Sequence, residues 1–162
     1  MNTHKLTRLA MLLALGLVLS YLEFLLPFNY SIPGIKLGLA NMVTMLVMYQ
    51  YSVREAAAIL FLRVVLSGLM FSGLNTIVFG IAGGVLCIIA MALAKRSSIF
   101  SVMGVSMLGA VFHNVGQLMI AFIIMQNVDI IYYFPYLLIS GLVSGLLIGY
   151  ISGILIKRFQ NI

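Results

Sequence analysis

Acidic residues are nearly missing from this chain: Glu23, Glu55 and Asp129 are the only three in 162 residues. No two of them are spaced to hold magnesium against a diphosphate, and an intramembrane two-metal enzyme needs more carboxylates than the chain owns. Cysteine is reduced to Cys87 within an apolar run, which removes a disulfide and a cysteine metal site. His113 and the terminal His4 do not make a zinc site, so no metal ligand is assigned. A phosphate-cradling P-loop, a dinucleotide glycine fingerprint and a His-Glu-x-x-His helix are all absent. His113 could serve a serine nucleophile, but no acidic residue nearby in sequence orients it, and no catalytic residue is assigned.

Charge of either sign is scarce as well. Charged residues make up 7% of the chain, against about 25% in a soluble domain. What fills the space is apolar: 64% hydrophobic residues and a mean hydropathy of +1.21. That composition defines an integral membrane protein, and the length suits one bundle over 1–162. The net charge of +6 sits mostly at the ends of apolar runs, where it reports topology; no basic patch interleaved with aromatics suggests nucleic acid.

The hydropathy pattern predicts six spans, at about 6–26, 37–49, 55–71, 74–94, 102–125 and 133–156. Lys5 and Arg8 precede the first span as in a signal peptide, but no small-x-small cleavage site follows and the segment is read as retained. An even number of spans places both termini on one side. With that side cytoplasmic, Lys5, Arg8, Arg54, Lys95, Arg96, Lys157 and Arg158 lie inside and Lys36 outside, which obeys the positive-inside rule. The two halves show no convincing internal repeat.

Small residues recur on the first span, at Ala10, Ala14, Gly16 and Ser20, and on the last, at Gly141, Gly145, Gly149 and Gly153. Such faces let helices approach closely, within the chain or against a docking partner. Between the first two spans, Phe28, Tyr30, Pro33 and Gly34 form an apolar, irregular loop that suits a lid over a cavity or an interfacial anchor. Ser52 and Glu55 read as a capping box.

Two polar features interrupt the spans. Arg63 lies midway through the third, where insertion costs about 2.5–3.5 kcal/mol unless the charge is paired. Glu55, eight residues away, is out of reach at about 12 Å. The partners are carbonyls, Glu23, the fifth-span polar residues or an anionic ligand. The fifth span carries His113, Asn114 and Gln117, with His113 and Gln117 on one helical face. These side chains serve as interhelical hydrogen-bond glue or as a pocket wall. Together with Arg63, Asn41 and Lys36 they form the candidate ligand set, suited to an anionic or amphipathic molecule.

The runs PGIKLGLANMVTML, REAAAILFLRVVLSG, GVSMLGAVFHNVGQLMIA and YYFPYLLISGLVSGLLIG are similar to the Gx transporter family, often labelled heptaprenyl diphosphate synthase component I. That family in turn resembles the substrate-binding S components of energy-coupling factor (ECF) transporters. The resemblance implies an all-α, six-transmembrane-helix bundle that captures a small organic nutrient outside the cell. It also implies a transmembrane coupling protein and two cytoplasmic ATPases as partners, the latter using ATP and Mg, with no cofactor on this chain. Ala10 and Ala14 match the Ala-x-x-x-Ala face with which the first helix of S components often docks on the coupling protein. The enzyme label fits poorly, because prenyl chain elongation uses aspartate-rich motifs and Asp129 is the single aspartate. The alternative is a non-catalytic membrane partner or scaffold for prenyl diphosphate synthesis.

Overall fold

The computed structural model describes residues 3–26 and 38–160, the last two by backbone alone. They form an all-α bundle of six helices with no strand among the described residues. In chain order the helices are α1 (Thr3–Leu25), α2 (Asn41–Gln50), α3 (Val53–Ser67), α4 (Leu74–Ser97), α5 (Val102–Met125) and α6 (Phe134–Gln160). One π-helical turn, Gly68–Ser72, prolongs α3, and a 3-10 turn, Val128–Tyr133, leads into α6. Five of the helices are long and apolar enough to span a membrane.

The exception is α2, whose ten residues rise only about 15 Å, half of a hydrocarbon core. It begins at Asn41 because Gly38 adopts φ +71 and a turn follows it. Its apolar residues circle the whole helix, so it has no lipid-facing side. Val43, Thr44, Met45, Leu46, Val47 and Met48 are all buried. α2 is the interior strut of the bundle. By contrast α1 is peripheral: of its 23 residues Leu9, Gly16 and Glu23 are buried.

Side-chain caps set the helix ends. Ser52 accepts a hydrogen bond from the Arg54 amide at 3.1 Å and donates its hydroxyl to Glu55, whose carboxylate also holds Lys5. This is a variant of the expected capping box, recruited to fasten the start of α1. At the same end, Lys95 donates to the Met48 carbonyl at 2.6 Å and lies 4.6 Å from the Tyr49 ring centre. The start of α1, the α2–α3 corner and the end of α4 are thereby gathered at one end of the bundle.

α4, α5 and α6 are joined by glycine. A Cβ on Gly116 would stand 2.6 Å from the Ala82 carbonyl oxygen of α4. One on Gly145 would stand 2.6 Å from Met107 Cα of α5, and one on Gly149 2.7 Å from Met103 Cα. Gly141, Gly145 and Gly149 of the last-helix stripe are therefore spent on packing within the chain, whereas Gly153 makes no close approach. Backbones this close gain dispersion contacts that side chains in lipid would otherwise make with acyl tails.

Two substitutions test this packing. Gly116→Ala should lower stability by about 1–3 kcal/mol because its methyl meets backbone, seen as a lower unfolding temperature in detergent. Gly153→Ala should leave it equal or higher, since its Cβ would lie 3.8 Å from Val102, an ordinary contact.

Candidate ligand site

Arg63 leaves α3 toward α1 and α2. Its stem crosses α1 at Gly16, where a Cβ would lie 3.1 Å from Arg63 Cδ. Nη1 donates to Ser20 Oγ at 3.1 Å and Nη2 to Asn41 Oδ1 at 3.0 Å. The residue is 7% exposed, and Nε is buried with no partner. Glu23, also buried, accepts the Gly38 amide at 2.6 Å and acts electrostatically on the guanidinium. Above this group Phe71, in the π turn, packs its ring against Tyr21 and Phe24, with ring centres 5.4 and 5.5 Å away. Bonds to a charged donor contribute about 1.5–3 kcal/mol each, enough to offset much of the insertion cost.

Ser20 was not legible as the acceptor, and its small side chain instead suggested a docking face. The small residues of α1 divide. Gly16 and Ser20 face Arg63, while Ala10 and Ala14 are exposed on another side of the helix.

The fifth-helix residues divide too. Asn114 donates to the Leu137 carbonyl of α6 at 2.7 Å and reaches Ser140 Oγ at 3.5 Å. It is interhelical glue in this geometry. His113 and Gln117 share the face toward α4 and close on Gly83, whose Cβ would stand 2.9 Å from His113 Cε1 and 3.0 Å from Gln117 Cγ. Gln117 is 6% exposed, and its Oε1 is buried with no hydrogen-bond partner.

Gln117 lines a cavity of about 450 Å³ together with Asn75, Thr76, Phe79, Leu118, Ala121, Met125, Ile130, Tyr133 and Leu137. It lies between the start of α4, the second half of α5 and the start of α6, at the end of the bundle away from the Lys5–Glu55 and Lys95–Met48 contacts. This volume falls in the usual range of about 300–1,000 Å³ for small-molecule sites. Arg63 and Asn41, bonded to each other, are not among its lining residues. Asn75, Thr76 and Tyr133 were missed by sequence reasoning; the Gly73 break before α4 and the tyrosine-rich turn were the available signals. Lys36 and the candidate lid residues Phe28, Tyr30, Pro33 and Gly34 lie outside the described residues. No group of three or more His, Cys, Asp or Glu among the described residues could hold a metal ion.

These features define a multi-pass helical membrane protein with a buried arginine network and a separate, mainly apolar cavity. Residues 12–155 match the family described as heptaprenyl diphosphate synthase component I, and the chain belongs to that family. No curated protein and no solved structure matches it.

The arginine network can be tested by a double-mutant cycle. Asn41→Leu should cost about 1–3 kcal/mol by stranding a buried donor. Adding Arg63→Leu should restore part of that loss, because replacing both partners by apolar groups is often close to neutral. Unfolding of the four proteins in detergent reads the coupling; strictly additive losses would show that the pair does not interact.

Proposed function

We propose that this protein is a non-catalytic, substrate-binding membrane subunit of an ECF-type uptake transporter for a small amphipathic organic molecule. The observation that carries this reading is the cavity around Gln117: mainly apolar, of ligand size, with a buried polar atom lacking a partner. The molecule would enter from the end opposite the chain termini. Both termini would be cytoplasmic, as the basic residues at helix ends favour. The chain offers no nucleotide motif, so ATP and Mg would be used by two partner ATPases, reached through a transmembrane coupling protein. Ala10 and Ala14, exposed on α1, would form the docking face.

A second reading has specific support in the family description: a non-catalytic membrane partner or scaffold for prenyl diphosphate synthesis. The comparison favours it over transport more directly than the geometry does. In that role the cavity would hold part of an isoprenoid chain, and chemistry would belong to a separate synthase subunit.

Affinity capture of the full-length protein from its native membrane, with proteomics of the partners and mass spectrometry of bound small molecules, separates the two. ATPase and coupling subunits support the transporter; a prenyl synthase with neither ATPase nor coupling subunit sinks it. Ala10→Leu with Ala14→Leu should abolish partner capture while leaving the unfolding temperature and ligand content unchanged. A loss of stability instead would assign those positions to packing.

A further inference from the structure

We propose that the Gln117 cavity selects a neutral apolar molecule carrying one hydrogen-bond donor, such as a hydroxyl, and rejects the corresponding phosphate. The proposal rests on the binding reading above and names the chemistry of that site's ligand. No charged side chain is among the described residues that line the cavity. Arg63 already donates to Ser20 of α1 and Asn41 of α2, and it does not line the space. A phosphate placed there would be stripped of water with no cation to replace it, whereas an uncharged head loses far less.

The polar end of the ligand is fixed by Gln117. Its Oε1 is an acceptor, buried and without a partner, on a side chain 6% exposed that faces the cavity. An unsatisfied buried acceptor discriminates sharply between a ligand that can donate to it and one that cannot. Asn114, one turn earlier, is committed to Leu137 and does not compete for the role. Thr76, also on the cavity wall, donates its hydroxyl to the Ser72 carbonyl at 2.9 Å. The apolar body of the ligand would lie against Phe79, Ala121 and Met125, with its donor pointing inward to Gln117.

The test uses the full chain in phosphatidylcholine nanodiscs and three labelled probes: an isoprenoid alcohol, its methyl ether and its monophosphate. The alcohol should bind, with the ether about ten-fold weaker, the equivalent of one lost hydrogen bond, and the monophosphate weaker still. Gln117→Leu should bind alcohol and ether alike, at the level of the ether on the unaltered protein. Should Gln117→Leu not fold, Gln117→Met carries the same expectation. Ala121→Phe, which adds bulk to the cavity wall, should weaken alcohol and ether together. Equal binding of alcohol and ether to the unaltered protein, or tighter binding of the monophosphate, would overturn the neutral-donor assignment while leaving the cavity a binding site. Failure of all three probes would overturn the assignment, and if the protein captured from its native membrane also carries no small molecule, the binding reading falls with it.

Discussion

Hydrocarbon solvates leucine as well as another leucine does, so the bundle cannot be held by withdrawing apolar side chains from solvent. What remains is shape and polarity, and the molecule uses one on each side. α4, α5 and α6 meet backbone to backbone through Gly116, Gly145 and Gly149. α1, α2 and α3 meet through charge: Lys5 on Glu55 at one end, and Arg63 on Ser20 and Asn41 deeper in. The buried strut α2 belongs to both halves, because it contacts α3 on one side and α6 on the other. A helix too short to span is accommodated here because protein buries it from Val43 to Met48.

The sequence made the outline of this fold legible for physical reasons. Lys95 with Arg96 and Lys157 with Arg158 end the apolar runs of α4 and α6 because charges do not enter hydrocarbon cheaply. Gly73, at φ +85, breaks the chain between α3 and α4. Neighbour choice was not legible. Asn114 follows His113 by one residue, yet about 100° of helical rotation sends it to α6 while His113 and Gln117 meet α4. Spacing likewise shows that a small-residue face permits close approach without saying to what. Gly145 and Gly149 are filled by α5, whereas Ala10 and Ala14, with the same four-residue spacing, are exposed.

Arg63 illustrates the limit most clearly. Its cost marks it as paired or functional, and the sequence leaves carbonyls, Glu23, the fifth-span polar residues or an anionic ligand as partners. The structure gives the guanidinium one hydroxyl and one amide oxygen as acceptors, both on helices that precede it in the chain. Its long stem needs room, which Gly16 supplies. Gly16 and Ser20 therefore owe their small size to a side chain they accommodate, and the sequence offers no way to distinguish that from a helix they might admit.

The division between the two halves bears on how binding and partner contact could be joined in one small bundle. The cavity is built on α4, α5 and α6, whose glycine contacts leave little freedom to shift, so its shape is set before any ligand arrives. The exposed alanines are on α1, the least buried span, fastened by the polar contacts of Lys5 and Ser20 and by Leu9, which enters the apolar core. A partner gripping α1 would act first on Ser20 and Glu23, and through them on Arg63 and on the Gly38 amide at the entrance to α2. α2 packs on α6, a wall of the cavity. A docking event at α1 would thus have a contiguous route of named contacts to the cavity wall.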